Sequence, residues 1–388
     1  MKILHVCLAN FYIDGYGYQE NMLPKYHVLQ GHQVEVLASL VSFDKSGKPC
    51  LLEQANEYST KDGYKVIRID YKRPMYHINK RFRRYNRVYQ HIENFGPDII
   101  FFHDCQFWDI FEAIKYLKKH SNVKVFVDSH TDHINSARNW LSREILHKII
   151  WKHCAQAISP FTEKFFGVLP MRCDFYNKVY GIPREKLDLL VMGVDDELIP
   201  YDEKDSIRIN VRRELGLDKD DFVLITGGKI DRKKNIHLLM QAVGMINSSK
   251  LKLIIFGNVA REVENQILNL AKNHNIKYLG WKNSETLYRY FFAADLAVFP
   301  GTHSVLWEYA IGCGLPTVFK KWAGMEHVDL GGNSIFLTED SVDELVRVIN
   351  SIFSDKQFYN KMEIVAKTKG IEEFKYSEIA KKAIQISR

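Results

Sequence analysis

Short apolar runs alternate with amphipathic stretches along the first half of the chain. The runs Lys2–Leu8 (KILHVCL) and Gln33–Ala38 (QVEVLA) have the continuous apolar character of strands that are buried on both faces. Helical spacing between such runs is typical of a parallel sheet covered by helices. Further strands are predicted over 64–70, 97–103, 123–127, 155–159 and 186–191, helices over 79–95, 135–152 and 161–168, and a long polar loop over 43–63.

The same pattern starts again after a polar segment that contains Pro200. Strands are predicted over 222–226, 251–256, 276–279 and 295–299, helices over 206–215, 235–246, 261–274 and 283–292, and a helical tail over 340–388. Because strands and helices alternate in both halves, we predict an α/β protein with two doubly wound domains. The expected boundaries are 1–195 for the first domain, 196–370 for the second and 371–388 for a C-terminal helix.

Composition argues against a membrane-spanning, secreted or zinc-binding protein but does not identify a function. The net charge of +7 suits anionic ligands or an anionic membrane and does not demand nucleic acid. No apolar run approaches the roughly 20 residues that a membrane-spanning helix needs, and the N-terminus lacks the pattern of a signal peptide. Six scattered cysteines without a C-x-x-C pair favour reduced thiols and argue against a zinc site. We therefore expect a cytoplasmic protein.

The stretch Phe299–Pro316 (FPGTHSVLWEYAIGCGLP) carries the most specific pattern. It follows a predicted strand, and Ser304 is a suitable N-cap for a helix from Val305 to about Ile311. A helix that starts beyond the carboxyl end of a strand presents N–H groups to an anion. The interpretation is that this helix start binds a diphosphate and that the carboxylate of Glu308 binds a ribose.

A second turn of the same half carries cations. Gly228 and Lys229 follow the strand 222–226, and Lys234 lies at the start of the next helix. Glycines let a backbone approach a phosphate, and lysines on either side neutralise it. A decorated surface loop is the alternative. Together with Glu308, these residues describe a site for a nucleotide diphosphate at the strand ends of one domain.

The first half offers two weaker signals at strand ends. Gly15 and Gly17 follow the first strand, where either a turn or a ligand contact would explain them. His130 lies in the segment 128–133 (DSHTDH), which is open to three interpretations: a polar loop, a metal site, or a substrate-facing cluster. The third is favoured, with His130 nearest the chemistry.

A basic segment interleaved with aromatic residues spans positions 72–89. It contains seven Lys or Arg residues and no acidic residue between Lys72 and Arg87. One interpretation is a solvated helix face, and the other is a surface that contacts anionic lipid or a lipid-phosphate acceptor. No motif for nucleic-acid recognition accompanies it.

These motifs resemble the retaining glycosyltransferases of family 4 (group 1), which have the GT-B fold. GGKIDRKKNIHLLMQA is similar to the family's element G-R-L-x-x-x-K-G-x-x-x-L-x-x-A, with Lys229 and Lys234 at its two basic positions. VFPGTHSVLWEYAIGCGLPTV is similar to its element P-S-x-x-E-G-F-G-L-x-x-L-E-A-M-A-x-G-x-P-V, with Glu308 at the second glutamate. Pro300 stands where the first glutamate belongs, so the contacts to the donor sugar must differ.

The resemblance implies two facing Rossmann-like domains, a C-terminal helix that crosses back to the first domain, transfer with retention, and no obligatory metal or other cofactor. Charge that develops on the leaving diphosphate would be stabilised by the two lysines and the helix start, and the domains would close on the donor. The candidate catalytic residues are His130, Lys229 and Lys234. The candidate donor-binding residues are Gly15, Gly17, Gly228, Lys229, Lys234, Gly257, Trp281, Thr302, His303, Ser304, Val305 and Glu308.

The function expected from the sequence is transfer of a sugar from a nucleotide-diphosphate sugar, UDP-linked, to a saccharide or lipid-linked acceptor in cell-surface polysaccharide or glycolipid synthesis. The expected location is the cytoplasm at the inner face of the membrane, with peripheral contact through 72–89. Two alternatives stay open: a non-catalytic subunit that binds sugar nucleotides, and a nucleotide-sugar epimerase of the same fold. A nicotinamide enzyme is disfavoured because neither half contains a full G-x-G-x-x-G.

Overall fold

The computed structural model describes residues 1–44, 48–133, 136–137 and 139–385. The predicted start of a helix at Asn135 and the last residues of the predicted tail lie outside these ranges. The chain divides into two compact units, one formed by Met1–Val191 with the segment from Ile379 onward, and the other by Met192–Glu378. Each unit is built around its own parallel sheet.

The first unit contains an eight-stranded sheet and a separate two-stranded ribbon. The sheet has the order β10-β9-β8-β7-β1-β2-β6-β5, in which only the edge strand β5 runs antiparallel to its neighbour. The ribbon pairs β3 with β4. The strands are β1 (Lys2–Cys7), β2 (Gln33–Ser39), β3 (Val41–Phe43), β4 (Pro49–Leu51), β5 (Glu57–Ser59), β6 (Lys65–Ile69), β7 (Ile99–His103), β8 (Lys124–Ser129), β9 (Lys164–Gly167) and β10 (Leu187–Leu189).

Helices cover this sheet because its central strands are apolar on both faces. Every residue of β7 is buried, and so is every residue of β1 after Lys2. The helices of the unit are α1 (Gln19–Leu29), α2 (Tyr76–Arg81), α3 (Val88–Phe95), α4 (Ile110–Leu117), α5 (Lys152–Ile158) and α6 (Pro170–Phe175), with π-helical turns over Ser142–Trp151 and Tyr176–Tyr180.

Two predictions in the first half are exchanged in the structure. The predicted strand 155–159 is helical and belongs to α5 and the turn after it, and the predicted helix 161–168 contains β9. Short apolar runs fit a strand or a buried helix equally well by periodicity. Residues 164–167 form a strand because β9 pairs in parallel register with both β8 and β10.

Two further predictions in the first half were wrong. The loop predicted over 43–63 contains β4 and β5 and the end of β3. The single helix predicted over 79–95 is broken, because Arg83 and Arg87 have left-handed backbone conformations with φ of 51° and 56°. These residues separate α2 from α3, so the basic segment does not form one continuous helix face.

The second unit contains a six-stranded sheet in which every pair of neighbouring strands is parallel. Its order is β13-β12-β11-β14-β15-β16. The strands are β11 (Phe222–Gly227), β12 (Leu251–Phe256), β13 (Ile276–Tyr278), β14 (Leu296–Phe299), β15 (Thr317–Lys320) and β16 (Ser334–Leu337).

The helices of the second half agree with the apolar spacing of the sequence. Those before the tail are α7 (Lys204–Glu214), α8 (Ile236–Ile246), α9 (Glu264–Leu270), α10 (Tyr288–Ala293) and α11 (Leu306–Gly312). The predicted helical tail contains α12 (Val342–Ser354), α13 (Lys356–Val365), α14 (Ile371–Glu373) and α15 (Tyr376–Ala383). Within the first unit, the carbonyl of Ala380 on α15 accepts a hydrogen bond from Nε2 of His27 on α1 at 2.9 Å.

Candidate functional site

Two strand ends of the second unit bring the predicted donor-binding loops together. β11 pairs directly with β14, so the segments after Gly227 and Phe299 leave the same edge of the sheet. A Cβ atom on Gly301 would overlap the backbone of Lys233 and Lys234. The amide of Thr302 donates to the carbonyl of Lys233 at 3.0 Å. The two loops are therefore in direct backbone contact, and the contact requires glycine at position 301.

The side chain of Lys234, on the loop after β11, forms hydrogen bonds with the loop after β14. Its ammonium group donates to the carbonyls of Thr302 at 2.7 Å and His303 at 2.9 Å. Burial lowers the pKa of Lys234, and nearby Asp231 opposes that shift only in part. Since an ammonium group has three N–H donors, these two bonds leave one for another acceptor.

Lys229 differs from Lys234 in almost every respect. Its side chain is 73% exposed, and its ammonium lies 3.6 Å from Asp231. Asp231 is also the cap of the turn Arg232–Lys234, where its carboxylate accepts from the amide of Lys233 at 3.1 Å. An exposed ion pair of this kind contributes little free energy. Lys229 can therefore exchange its contact with Asp231 for a bound anion at small cost.

Close backbone contacts explain the glycines after β11 and β12. Gly228 and Gly257 have φ angles of +103° and +127°, which L-residues rarely adopt. A Cβ atom on Gly257 would overlap the carbonyl of Gly228, and one on Gly228 would lie 3.1 Å from Cδ1 of Leu306. Gly228 is thus adjacent to the start of α11.

The helix start differs by one residue from the prediction. α11 begins at Leu306 and ends at Gly312, so it has seven residues, and Val305 is its N-cap. Ser304 sits one position earlier, where its Oγ accepts from the amide of Leu306 at 3.3 Å and its carbonyl accepts from Trp307 at 3.0 Å. Ser304 therefore stabilises the turn before the helix, and it is not the cap.

Glu308 is fully buried and bound by a histidine. Nε2 of His303 lies 2.8 Å from Oε1 and 3.1 Å from Oε2, while Nε2 of His327 lies 3.6 Å from Oε1. Burial by itself would raise the pKa of Glu308, but the charge and hydrogen bonding of His303 and then of His327 lower it to about 2. His327 was not predicted from the sequence, because it lies outside the motifs that indicate the site.

The remaining donor-binding candidates lie on exposed surface. Trp281, after β13, is 65% exposed, and Val305 is exposed as well. Gly15 and Gly17 have open space where a Cβ atom would stand, and Gly15 has a φ of +75°. A left-handed turn thus accounts for Gly15 without a ligand. That these four residues bind a donor stays a prediction.

The first unit places His130 beside two carboxylates. Nε2 of His130 lies 3.8 Å from Glu20 and 3.8 Å from Asp128, and the side chain is 19% exposed. Burial would lower the pKa of His130, but Glu20 and then Asp128 outweigh that effect and raise it. Glu20 also accepts a hydrogen bond from Asn10. His130, Glu20 and Asp128 therefore lie close together in the first unit, and the role of His130 toward a substrate stays a prediction.

A chain of buried histidines leads to His130 and its two carboxylates, and it was not predicted from the sequence. His5 lies 3.0 Å from both His27 and His103, and His103 lies 2.8 Å from Asp128. All four residues are fully buried. The available signal was a histidine inside each of two apolar strands, β1 and β7, because a buried imidazole requires partners.

The basic segment is partly structural. Lys72 forms an ion pair with Asp109 at 2.9 Å, and Arg84 lies 3.9 Å from the same carboxylate. Arg83 donates to the carbonyls of Ala9 and Gln106 at 2.8 and 3.0 Å. These three side chains therefore make contacts within the first unit, and contact of the segment with anionic lipid stays a prediction.

Other members of the basic segment do face solvent. Arg73, Lys80, Arg81 and Arg87 are exposed, as are the apolar side chains of Met75 and Ile78.

Across the described part of the chain, no helix combines the length and apolar character needed to cross a bilayer. Nor do the described histidines, cysteines and carboxylates gather into a group of three suited to a metal ion.

Comparison with known proteins agrees with this architecture. The family described as "Glycosyl transferases group 1" matches residues 207–369. Anabaena HepE, solved in complex with UDP, superposes with a TM-score of 0.65 over 98% of each chain at 19% identity. The chain has the GT-B fold. This confirms the predicted fold class, with two Rossmann-like units that each contain a parallel sheet.

Two sequence relatives extend the comparison. An uncharacterized glycosyltransferase of Methanocaldococcus jannaschii is 24% identical over 219 residues, which are 54% of this chain and 55% of the relative. The lipopolysaccharide 1,2-N-acetylglucosaminetransferase of Salmonella typhimurium is 22% identical over 326 residues, which are 77% of this chain and 84% of the relative. The chain thus spans only about half the length of the first relative.

Proposed function

We propose that this GT-B protein is a retaining glycosyltransferase that uses a nucleotide-diphosphate sugar. The observation that carries the proposal is that two adjoining segments at one edge of the second sheet hold Gly228, Lys229 and Lys234 on one side and Glu308, in the first turn of α11, on the other. The carboxyl ends of strands are where open α/β sheets bind ligands. The group 1 match over residues 207–369 covers all four residues.

The two lysines have different roles in this proposal. Lys229, which is exposed, binds the diphosphate directly, and Lys234 contributes its third N–H while it holds the loop at Thr302 and His303. Negative charge grows on the diphosphate as the glycosidic bond breaks, so fixed cations stabilise the transition state more than the bound donor. Gly228 lets the diphosphate approach the backbone beside Leu306.

Glu308 binds the ribose of the donor. A carboxylate accepts from two hydroxyl groups at once, and both oxygens now accept from His303. Because Glu308 is also fully buried, ribose binding in this proposal requires that His303 move aside, so that the ribose hydroxyls reach lone pairs of the carboxylate. His303 also sits in the loop with Pro300 at the position of the missing family glutamate, so this loop sets the choice of sugar.

His130 is the polar group that the first unit contributes to the reaction. With two carboxylates 3.8 Å away, its imidazole stays protonated to higher pH than an ordinary histidine. A protonated imidazole donates hydrogen bonds to a sugar hydroxyl or to a phosphate oxygen.

UDP is the proposed nucleotide, and the acceptor is a saccharide or a lipid-linked saccharide of the cell surface. Binding of UDP by Anabaena HepE and the lipopolysaccharide named for the Salmonella relative support this choice. Lys80 and Arg81, with the exposed apolar side chains of Met75 and Ile78, form the proposed peripheral contact with anionic lipid on the cytoplasmic side.

The decisive experiment is a screen of UDP-, GDP- and ADP-sugars with lipid-linked and free saccharide acceptors, with nucleotide release and product anomer as readouts. The proposal expects UDP release that depends on the acceptor and a product that retains the anomeric configuration. UDP binding without turnover across the panel would instead support a non-catalytic subunit. An isomerised nucleotide sugar formed without acceptor would support an epimerase.

A further inference from the structure

Three buried imidazoles form one continuous hydrogen-bonded chain through the first unit. It starts at the carbonyl of Ala380, which accepts from Nε2 of His27 at 2.9 Å. Nδ1 of His27 lies 3.0 Å from Nε2 of His5, and Nδ1 of His5 lies 3.0 Å from Nε2 of His103. The chain ends where Nδ1 of His103 lies 2.8 Å from Oδ2 of Asp128. All four contacts are short enough to be hydrogen bonds.

The number of protons in this chain follows from its two ends. Ala380 offers a carbonyl and Asp128 a carboxylate, and both are acceptors. Four hydrogen bonds between two terminal acceptors need four protons on the rings, but three neutral imidazoles carry only three. The directions depend on which ring holds the extra proton. If that ring is His103, then His27 and His5 each donate through Nε2, and Nε2 of His103 donates to His5.

His103 is where the fourth proton belongs. A proton on His103 lies directly against the carboxylate of Asp128, whose Oδ2 is 2.8 Å from Nδ1, whereas a proton on His5 or His27 lies one or two rings farther away. Burial and neighbouring rings lower the pKa of His5 well below its ordinary value, and burial lowers that of His27 to about 4. Burial would raise the pKa of Asp128, but His103 and then His130 lower it, which keeps the carboxylate ionised.

The other titratable groups around the chain do not supply this proton. Burial raises the pKa of the Cys7 thiol on β1 well above its ordinary value, so Cys7 stays neutral. His32, before β2, stacks edge-on to His27, and burial lowers its pKa. Glu20 on α1 faces His130 and Cys7.

We propose that His27, His5 and His103 form a proton-holding chain that carries one proton more than three neutral rings, and that this proton on His103 holds Asp128 ionised beside His130. His103 and His27 are then positioning residues, because they act on His130 through Asp128. The effect on transfer rests on the proposed function, but the protonation of the chain does not.

His27 offers a pair of variants that separates the chain from simple packing. In His27→Phe, His5 loses its acceptor, so its proton moves to Nδ1 and donates to Nε2 of His103. His103 then donates to Asp128 through Nδ1 as a neutral ring, and no extra proton is needed. In His27→Gln, the amide donates to Ala380 while its oxygen accepts from His5, so the extra proton stays. A change two rings away therefore alters the charge of His103.

The test is nitrogen NMR of the full-length protein labelled with ¹⁵N-histidine, at pH 7.5 without ligand. We expect both nitrogens of His103 to be protonated in the natural protein and in His27→Gln, and only Nδ1 in His27→Phe. In Asp128→Asn, the amide donates to His103, so only Nε2 should be protonated. A neutral His103 in the natural protein, or a doubly protonated one in His27→Phe, overturns the proposal. Asp128→Asn keeps the test decisive if His27→Phe does not fold.

Activity provides the second readout. In His27→Phe the positive charge on His103 is lost, so the carboxylate of Asp128 acts more strongly on His130 and the pH profile of transfer should move upward by about one unit. Asp128→Asn should move it downward, and His27→Gln should leave it in place. An unmoved profile in an active His27→Phe variant contradicts the coupling to His130. An inactive natural protein with the expected NMR pattern contradicts only the proposed function.

Discussion

His303 donates through Nε2 to both carboxylate oxygens of Glu308, at 2.8 and 3.1 Å. The two residues are five positions apart, and Glu308 is completely buried. Because both oxygens are acceptors, Nε2 of His303 must carry a proton. The carboxylate proposed to bind ribose is thus already hydrogen-bonded to a side chain of the loop that precedes α11.

This pair should make the stability of the protein sensitive to acid. The pKa of Glu308, about 2 in the folded chain, lies below its ordinary value of 4.5. The stabilisation is therefore complete above about pH 4.5 and is lost as the pH falls toward 2, with a size of about 3 kcal/mol. His303→Ala should remove most of this dependence. Urea unfolding between pH 5 and pH 3 measures it, with Val305→Ala as the control from the same loop; an equal acid dependence in both variants contradicts the prediction.

The two lysines should separate stability from ligand binding. Lys234→Ala leaves the carbonyls of Thr302 and His303 without their donor and should cost about 1–3 kcal/mol of unfolding free energy. Lys229→Ala removes an exposed side chain and should change stability by less than about 0.5 kcal/mol. Both should weaken UDP binding by about tenfold or more, measured by calorimetry. If Lys229→Ala binds UDP as tightly as the natural protein, Lys229 does not contact the phosphates.

Gly301 should tolerate no side chain. Gly301→Ala places a Cβ atom against the backbone of Lys233 and Lys234, which cannot move aside as a flexible side chain can. We expect a loss of about 1–3 kcal/mol and weaker UDP binding, because the two loops must separate. Gly17→Ala is the matched control, since nothing lies within 4 Å of its added carbon. Thermal unfolding of both variants gives the comparison.

His130 should matter to the chemical step and not to nucleotide binding. His130→Ala removes the protonated imidazole beside Asp128 and Glu20, and we expect transfer to slow by about a hundredfold. UDP affinity should stay within twofold, as measured by calorimetry, since the nucleotide site belongs to the second unit. His133→Ala, on the same segment and exposed, should leave the rate unchanged. Equal rates for the two variants would exclude His130 from the reaction.

The basic segment should bind anionic vesicles through its exposed residues only. The double change Lys80→Glu and Arg81→Glu should weaken binding to phosphatidylglycerol vesicles, measured by flotation, by about thirtyfold or more, since each of the two lost cations contributes about 1 kcal/mol near such a surface. Arg83→Glu should instead destabilise the fold, because Arg83 binds the carbonyls of Ala9 and Gln106. If the double variant floats with the vesicles as the natural protein does, the membrane contact must be dropped from the proposed function.

The sequence by itself determined the class of fold. Continuous apolar runs such as those of β1, β2 and β12, separated by amphipathic stretches, require parallel strands covered by helices. Because parallel strands end at one edge, the Gly228–Lys229 turn and the Thr302–Ser304 loop could be expected on the same side of the second sheet. Local spacing was sufficient for both inferences.

Only the tertiary structure decided which side chains meet. Whether 155–168 forms strand or helix depends on β9 pairing with strands distant in sequence, and short apolar runs do not specify such pairing. The chain from His27 through His5 to Asp128 joins α1, β1, β7 and β8, and its fourth proton depends on the carbonyl of Ala380 far along the sequence. Periodicity reports which face of an element is buried, but the partner of a buried polar group is set by the packing of distant segments.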